Sequence, residues 1–471
     1  MASTWLWRGS YDRLELVRTN EKKQHLSGER NGQPLDSQPW SAVRSGDAVL
    51  AWTDSRSIDC RRFPSAWVLN VKGAHASSYS RAEKERIWQR AGLCGGPEEQ
   101  NVRLFRVSIV HLEPVELQRL DSAGRAMQGK PLLPGIAGSW PDDPALRRVV
   151  RTAAAALYAL GLDIGEAEVT LSGDGRTAVR DAWPRLRNTR LEAAALRRFA
   201  AWYDAAGTGT ADRHLLIGAD PEFVLVTPEG KIASASRFFG PGVGGAAGAD
   251  ALLVGRRLLY PVAELRPEPA DNPAALAANV RRLLLRAADR ISDPRLRWAA
   301  GAMPVPGLAL GGHIHLSGAP LTSRLLRLLD SYAAFPLALV EDPAGRARRP
   351  RYGTLGDFRH QPHGGFEYRT LPSWLVSPAA AKAAFALALL CAREEQTLSY
   401  IPALDERYVE AYYSGDRVTL AGCLDGVASQ LSATGSYAAL APFIEPLLEA
   451  ARRGATWDER TDLRVKWRIP L

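Results

Sequence analysis

The sequence predicts an α+β fold in which helices pack on one side of an antiparallel sheet. Two observations predict it. In the second half of the chain, short segments alternate charged or polar residues with apolar ones, which is the pattern of strands that bury one face only. Amphipathic helical stretches lie between these segments, whereas a parallel sheet covered on both faces would show continuous apolar strands. The charged strand faces therefore indicate a sheet with one open side.

The length and composition indicate a globular protein of more than one domain. The chain has 471 residues, of which 46% are apolar and 24% are charged. A single core rarely grows beyond about 250–300 residues, so we expect two or three domains. A segment rich in Gly, Thr and Ala marks a boundary, with an N-terminal α/β region at 1–205 and a second domain at 210–471.

The net charge of +9 would suit a polyanionic partner. The basic residues are mostly arginines scattered among alanine and leucine, so we expect no nucleic-acid partner. The four cysteines lie far apart without paired spacing, which argues against a zinc knuckle or a disulfide framework and favours a reducing cytoplasm. The N-terminus lacks the apolar stretch of a signal peptide and no apolar run is as long as a membrane span, so no membrane association is expected.

Helices are predicted where capping residues precede amphipathic stretches. In the first half, helices are expected from Asp143 to Leu160, where Pro144 favours the first turn, and from Leu191 to Ala205. The rest of this half shows short strand-like pieces and no obvious catalytic cluster. In the second half, helices are expected at Asn272 to Ile291, Ser323 to Val340 and Ser377 to Glu395.

Four strand-like segments of the second half each carry polar or ionisable side chains at alternate positions, which places those side chains on one face of a strand. Several such strands in series suggest a sheet whose open face binds cations and polyanions. The side chains are Asp220 and Glu222; Glu264, Arg266 and Glu268; His313, His315 and Ser317; and Glu367 and Arg369.

The His-x-His pair in GGHIHLSG is the most specific of these signals. Two imidazoles at i and i+2 can face the same ion, and Gly311 and Gly312 leave room beside them. His360 and His363 follow in the stretch of chain that also contains Glu367, which favours a site over isolated structural histidines. Oxygen ligands combined with one or two imidazoles suit magnesium or manganese, whereas a structural zinc site would normally use cysteine pairs.

The carboxylates also have plainer explanations. Asp220 and Glu222 would fit a turn aspartate and a surface glutamate, although a carboxylate at the mouth of a buried strand is costly without a cation or donor. Glu264 and Glu268 bracket Arg266, so a surface salt-bridge ladder explains them nearly as well. We take Glu264 as a ligand and leave the role of Glu268 open.

A dense basic run precedes the last of these strands. Guanidinium groups bind phosphate and carboxylate in bidentate fashion, so arginines beside a metal site suit a transferring phosphoryl group or an acid substrate. Arg369 shares a strand face with Glu367, which favours a place in the site, whereas a solvated loop is expected for Arg346 and Arg348. The run and the arginine that follows it comprise Arg346, Arg348, Arg349, Arg351 and Arg359.

The order of the motifs GADPEF, ELRPEP, GGHIHLSG, YGTLGDFR and GFEYRTLPSWL resembles the glutamine synthetase-like carboxylate-amine ligases. It is most similar to their phage-type branch, the amidoligases called carboxylate-amine ligase type 2. The resemblance covers about Leu215 to Ser399 and the tail WDERTDLRVKW. It implies a curved antiparallel sheet of the glutamine synthetase type, with helices on one side, that holds magnesium ions and ATP in a funnel.

The resemblance also implies roles for individual residues. The positions that resemble ligands of magnesium or manganese ions are Asp220, Glu222, Glu264, His313 and Glu367. His315 and Ser317 resemble positions that contact the nucleotide. Arg351 or Arg359 resembles a position that binds phosphates, and Arg369 resembles one that contacts the phosphorylated acid. Glu268 is the candidate for accepting a proton from the amine.

The reaction implied by the resemblance has two steps. A carboxylate attacks the γ-phosphorus of ATP to give an acyl phosphate and ADP, and a primary amine then displaces phosphate to form an amide. The chain lacks the long phosphate loop and the ammonium-site signatures of glutamine synthetase, so glutamate and ammonia are not the expected substrates. The resemblance allows small-molecule or peptide acids and amines, proteins or cell-wall components as substrates, and it leaves the oligomeric state open.

The first half carries a second resemblance, to the last segment of an ATP-grasp ligase. The stretch AAAALYALGLDIGEAEVTLSGDGRTAVRDAWPRLR combines a helix, Gly-Leu-Asp-Ile-Gly and a strand that enters a Gly-Asp-Gly turn. Trp183, between Asp181 and Pro184, stands where that family has a metal-binding asparagine. The loss of this oxygen ligand implies a degenerate ATP-grasp-like region.

From the residues alone, two other functions stay open. A mononuclear metal-dependent hydrolase or oxygenase would use His313, His315 and one carboxylate, with no nucleotide. A non-catalytic protein would instead bind a polyanion through its basic surface, in a salt-sensitive manner. Elemental analysis combined with ATP binding separates the ligase from the metal hydrolase or oxygenase. Polyanion binding that survives removal of the metal-site acids would identify the non-catalytic protein.

Overall fold

The computed structural model divides the chain into two compact units, Met1–Asp212 and Arg213–Leu471. It describes residues 2–11, 14–17, 37–53, 55–93, 102–127, 132, 140–208, 214–240, 246–254, 257–361 and 364–470. Residues 209–212 of the predicted boundary segment, and His363, lie outside these ranges. None of the described helices is long and apolar enough to cross a membrane.

The first unit contains two sheets and the helices that cover them. Its strands are β1 Thr4–Trp7, β2 Leu14–Leu16, β3 Ser37–Gln38, β4 Ala48–Ala51, β5 Trp67–Leu69, β6 Arg103–Val110, β7 Glu113–Leu120, β8 Ile164–Leu171 and β9 Thr177–Trp183. Its helices are α1 Gly73–Ser78, α2 Arg81–Arg90, α3 Pro144–Ala159 and α4 Thr189–Thr208. One sheet has the order β3-β2-β1-β4-β5, with β4 parallel to both β1 and β5, and the other is antiparallel with the order β7-β6-β8-β9.

The helix α3 shows how the caps set the boundaries. The side chain of Asp143 accepts hydrogen bonds from the backbone amides of Ala145 and Leu146, and Pro144 occupies the first turn. The apolar face of the helix packs on β6 and β8, where Val149, Val150 and other residues form a buried core with the strand side chains. The helix predicted at 143–160 is therefore confirmed.

One buried histidine makes the first unit sensitive to acid. His111 is 5% exposed and lies among the rings of Trp67, Phe199 and Trp202, at centroid distances of 5.0, 5.5 and 4.4 Å. Burial lowers the pKa of His111 from 6.5 to about 3. As the pH falls, His111 is therefore protonated in the unfolded chain before it is protonated in the folded protein. Its contribution to stability is complete above pH 6.5 and is lost as the pH falls towards 3.

We expect acid to destabilise the wild-type protein more than a His111→Asn variant, because asparagine has no charge to gain and tolerates the left-handed backbone at this position. Between pH 6.5 and about 3, the free energy of unfolding of the wild type should fall relative to that of the variant by on the order of 4 kcal/mol, at about 1.36 kcal/mol per pH unit. Urea unfolding followed by tryptophan fluorescence measures it, since nine of the 13 tryptophans precede residue 213. A difference that does not vary with pH would refute the assignment.

The second unit is built on an antiparallel sheet. Its strands are β10 Leu216–Val226, β11 Ile232–Ala233, β12 Ala247–Val254, β13 Arg257–Leu265, β14 Arg297–Ala299, β15 Gly312–Ser317, β16 Phe358–His360 and β17 Phe366–Tyr368. The order across the sheet is β12-β13-β10-β15-β17-β16, and β11 and β14 also pair with β10. Every pairing in this sheet is antiparallel among the described residues.

Helices complete the second unit. They are α5 Pro273–Arg290, α6 Ser323–Leu329, α7 Phe335–Val340, α8 Pro378–Arg393, α9 Glu406–Ser414, α10 Arg417–Ala421, α11 Leu424–Ser432, α12 Tyr437–Arg452 and α13 Leu463–Trp467. The helices α5 and α8 pack on each other and contact β13 and β15. Ser377 caps α8 through its side chain, as predicted, and the side chain of Asn272 caps α5. The predicted α+β class, a curved antiparallel sheet with helices, is confirmed.

The predicted helix from Ser323 to Val340 is continuous but not uniform. Between α6 and α7 it contains a π-helical turn, Asp330–Ala334, and every residue of this turn is buried. Such turns insert an extra residue into a helix and occur frequently at functional sites. The turn therefore draws attention to Asp330, a carboxylate with no exposed surface.

Candidate active site

Strand register places the predicted polar side chains in adjacent rows. On one side of β10, Glu222 pairs with Glu264 of β13. On the other side, Asp220 pairs with His313 of β15. The rows continue from β15, where His315 pairs with Glu367 of β17, and from there Glu367 pairs with Arg359 of β16. Since alternate residues of a strand share a face, these side chains lie on one face of the sheet.

The first cluster consists of Asp220, His313 and Glu367. The Nδ1 atom of His313 lies 3.1 Å from Oδ1 of Asp220 and 3.2 Å from Oε1 of Glu367. His315 adjoins the cluster, with its Nε2 atom 3.3 Å from Oδ2 of Asp220. One ligand atom from each of the three residues lies within 4.8 Å of the other two, which is close enough for all three to reach one ion.

Several atoms of this cluster lack hydrogen bonds. Oδ1 of Asp220, Nδ1 of His313 and Nε2 of His315 are buried, and none has a hydrogen-bond partner of acceptable geometry among the described residues. Buried polar atoms left in this way are costly, and the cost is removed when their lone pairs converge on a cation. The short separations without hydrogen-bond geometry therefore fit ligands that point at a shared ion.

Electrostatics within the first cluster favours an ionised aspartate. Burial opposes ionisation of Asp220, but the imidazoles of His313 and His315 hold the pKa of its carboxyl below the usual value. Burial likewise opposes protonation of His313, and Asp220 raises the pKa of that imidazole overall. An anionic oxygen beside an imidazole is a donor set that magnesium and manganese accept.

A second cluster lies on the neighbouring strands and consists of Glu222, Asp250 and Glu264. One ligand oxygen of each lies within 4.8 Å of the others. Oε2 of Glu222 accepts a hydrogen bond of 2.7 Å from the amide of Gly311, and burial raises the pKa of this carboxyl. Burial, together with the charge of Asp220, raises the pKa of Glu264 to about 7. Three carboxylates that repel one another, with Asp250 exposed and the other two at least partly buried, fit a second divalent cation.

Arginines and a glutamine surround Glu367, which is 1% exposed. Nη1 of Arg369 donates to Oε1 of Glu367 at 2.7 Å, and Nη1 of Arg359 lies 3.4 Å from Oε2. Gln361 donates to the same Oε2 atom at 3.1 Å. Arg369 also faces Asp357, with 3.6 Å between Nε and Oδ2. Glu367 therefore belongs to the first cluster and also contacts Arg359 and Arg369, which form the cationic side of the site.

A cavity of about 910 Å³ opens over the sheet face. Its lining includes residues of both clusters and of the cationic side, so one bound molecule can reach all three. The residues singled out from the sequence that line it are Asp220, Glu264, Arg266, His315, Ser317, Arg359, His360 and Glu367.

Two predicted residues, Glu268 and Arg351, are exposed and are not among the residues that line this cavity, although Pro267 and Pro269 on either side of Glu268 do line it. Glu268 is exposed and follows β13, which ends at Leu265, so the expected strand face from Glu264 to Glu268 is shorter than predicted. Arg351 is exposed, with its guanidinium 5.5 Å from the ring centroid of Tyr352. Neither is among the described residues that line the cavity, and their predicted roles stay predictions.

Sequence reasoning missed Asp250 and misjudged Arg348. Asp250 lies on β12 two residues after Gly248, which pairs with Glu264, so alternation alone would have indicated its face once that strand was recognised. Arg348 was expected in a solvated loop but is 2% exposed. Its guanidinium donates to the carbonyls of Thr370 and Leu371, two tertiary partners that no local pattern reveals.

A glycine keeps the space beside the first cluster open. A Cβ atom at Gly311 would lie 2.5 Å from Nε2 of His313, so an alanine there has to push the imidazole aside. We expect Gly311→Ala to weaken Mn²⁺ binding about tenfold or more while the protein stays folded, because displaced ligands typically cost 10–100-fold in affinity. Electron paramagnetic resonance titration of free Mn²⁺ measures this. Gly173→Ala, which meets no atom within 4 Å, is the control, and equal affinities for the two variants would contradict the assignment.

Comparisons with known proteins agree with this geometry. The family model "Phage phiEco32-like COOH.NH2 ligase-type 2" matches residues 217–469, more than half of the chain. A comparison with proteins of curated function gave no match.

Solved structures give low similarities. A bifunctional glutathione synthetase from Pasteurella multocida is 11% identical with a TM-score of 0.33, and the match covers 54% of this chain and 52% of that one. The chain thus spans about half the length of that relative. GmaS without ligand is 17% identical with a TM-score of 0.30, covering 59% of this chain and 77% of GmaS. For the macrocyclase MdnB from Microcystis aeruginosa MRC the identity is 16%, the coverages are 37% and 81%, and the TM-score is 0.24. On the family match, the chain belongs to the phage phiEco32-like carboxylate-amine (COOH.NH2) ligases of type 2.

Proposed function

We propose that the protein is an ATP-dependent ligase that joins a carboxylate to a primary amine through an acyl phosphate. The observation that carries this proposal is the pair of acidic clusters on one sheet face, with arginines at the side of Glu367. Five carboxylates and two imidazoles in so small a space need cationic partners. Two divalent ions and a bound triphosphate satisfy that need together, because the ions offset the carboxylates and the phosphates offset the ions.

The two clusters would hold the two ions. Asp220, His313 and Glu367 would hold the first, and Glu222, Asp250 and Glu264 the second. Divalent ions of this kind offset the charge that develops on a transferring phosphoryl group.

The other residues of the site would orient and screen the substrates. Arg369 and Arg359 present guanidinium groups beside Glu367, where they can bind the phosphoryl oxygens or the activated acid. His315 and Ser317 line the cavity at the end of β15, in reach of a nucleotide placed over the sheet. Amide formation in water is uphill, so the cavity must also keep water from the acyl phosphate before the amine arrives.

The presence of two clusters argues against a mononuclear hydrolase or oxygenase, which needs one metal and an open coordination position. The proposed substrates are acids and amines, either small molecules or peptides. The described residues of the cavity lining combine acidic, basic and apolar side chains, which suits substrates of either kind.

The test uses purified protein with ATP, Mg²⁺, a panel of acids and peptides, and hydroxylamine or primary amines. We expect ADP and phosphate to form only when acid and amine are both present, and chelation of the metal to stop the reaction. If the acid carries ¹⁸O in its carboxylate, one labelled oxygen should appear in the released phosphate, which is the mark of an acyl phosphate. No ATP turnover across the whole panel, or phosphate without label, would refute the proposal.

A further inference from the structure

A buried hydrogen-bonded contact lies directly behind the strand that carries Glu367. Asp330, in the π-helical turn, is fully buried, and its Oδ1 atom accepts a hydrogen bond of 2.6 Å from the hydroxyl of Tyr368. The same oxygen accepts a hydrogen bond of 3.0 Å from the backbone amide of Gly356. Tyr368 is also fully buried. One carboxylate thus holds two separate segments of the chain.

Both segments carry residues of the site. Tyr368 lies between Glu367 and Arg369, so its ring points away from the cavity while its neighbours point towards it. Gly356 leads into the strand that carries Arg359, and the carbonyl of Asp357 accepts the backbone N–H of Arg369 at 2.9 Å. Asp330 therefore contacts both of the chain segments that carry the arginines of the site, through the hydroxyl of Tyr368 and the amide of Gly356.

A carboxylate at this place is expensive for folding. The helix around Asp330 is buried along its whole length, and an ionised group in such surroundings costs several kcal/mol unless donors compensate it. An apolar pair would fill the same space at less cost, which indicates that the contact serves the site and not the core.

We infer that Asp330 and Tyr368 are positioning residues that fix Glu367 and Arg369 against His313 and Asp220. This rests on the proposed function, because the geometry they maintain is that of the first ion cluster. Partners of this kind behind metal ligands typically contribute 10–100-fold in affinity or activity.

Mn²⁺ affinity of the nucleotide-free protein tests the inference without requiring turnover. We expect Tyr368→Phe and Asp330→Ala each to weaken Mn²⁺ binding about tenfold or more, and ATP turnover with them. Asp330→Asn keeps an oxygen that accepts both hydrogen bonds and should restore the affinity to within about threefold of wild type.

Tyr332→Phe is the matched control, because Tyr332 lies in the same turn as Asp330, its side chain is buried, and its hydroxyl donates a hydrogen bond of 2.8 Å to the carbonyl of Tyr400. It removes one buried tyrosine hydroxyl, as Tyr368→Phe does, and should keep the wild-type Mn²⁺ affinity. Circular dichroism identifies conditions in which every variant is folded. Equal Mn²⁺ affinities for Tyr368→Phe and Tyr332→Phe would overturn the positioning role while the ion site stands. A wild-type protein that binds no Mn²⁺ would overturn the ion site and the positioning role together.

Discussion

Replacing Glu367 with glutamine should reduce ATP-dependent amide formation by about a thousandfold or more. The carboxylate is 1% exposed and lies within 3.2 Å of His313 and 2.7 Å of Arg369, so an amide of the same shape removes a charge without opening space. A bound metal ion stabilises the transition state by several kcal/mol, and the loss of that stabilisation corresponds to a rate decrease of about a thousandfold. Coupled ADP assays on the purified variant measure the effect.

The control for this variant is Glu449→Gln, which removes a carboxylate from an exposed pair with Arg453. Surface pairs of this kind contribute little, so the control should keep nearly full activity. Its thermal midpoint should stay close to that of the wild type. If Glu367→Gln retained more than about a tenth of the wild-type rate, Glu367 would have no role in binding the ion or the phosphoryl group.

Replacing Glu264 with glutamine should separate stability from function. Burial and the charge of Asp220 raise the pKa of Glu264 to about 7, so at pH 8 this carboxylate is ionised at a cost to the folded protein. Without divalent cations, we expect the variant to be more stable than the wild type by on the order of 1–2 kcal/mol, because it removes the cost of burying the charge and its repulsion by Asp220. Activity should nevertheless fall by about a hundredfold.

The thermal midpoint measured with and without Mg²⁺ reports both effects. Mg²⁺ should stabilise the wild type more than the variant, because a ligand stabilises the folded state according to its affinity. The control is Glu229→Gln, at an exposed glutamate in the turn between β10 and β11. If Glu264→Gln were destabilised without the cation, or gained as much from Mg²⁺ as the wild type, the second cluster would not be a cation site.

Local signals in the sequence predicted the helices well. Asp143, Asn272 and Ser377 each precede a proline and an amphipathic stretch, and all three are caps in the structure. Caps act through hydrogen bonds within one turn, so their effect is local and can be identified without knowledge of the fold. The π-helical turn at Asp330 gave no such signal, because the partners that hold it, Tyr368 and Gly356, come from elsewhere in the chain.

Strand alternation predicted which side chains face the site but not how far each strand extends. Asp220, His313 and Glu367 were grouped by their spacing and lie together. The strand after Glu264 was extended too far in the prediction, although Pro267 offered a warning, since proline interrupts a ladder of hydrogen bonds. Glu268 therefore lies in a loop, where strand alternation no longer sets its direction.

Contacts between distant segments were beyond the reach of the sequence. Asp250 joins Glu222 and Glu264 only through the pairing of β12 with β13, and its segment shows more glycine and alanine than strand-forming residues. Arg348 is held by carbonyl groups of residues 370 and 371. The ATP-grasp-like character of the first unit stays a prediction.

Crystals grown with Mn²⁺ and a non-hydrolysable ATP analogue give the most direct test of the central claim, that the carboxylates and imidazoles of five strands converge on shared divalent ions. Anomalous scattering at the manganese edge locates the ions without reference to activity. We predict one peak among Asp220, His313 and Glu367 and a second among Glu222, Asp250 and Glu264, each about 2.1 Å from its ligand atoms. Maps with neither peak, or with manganese bound only elsewhere on the protein, would contradict the account.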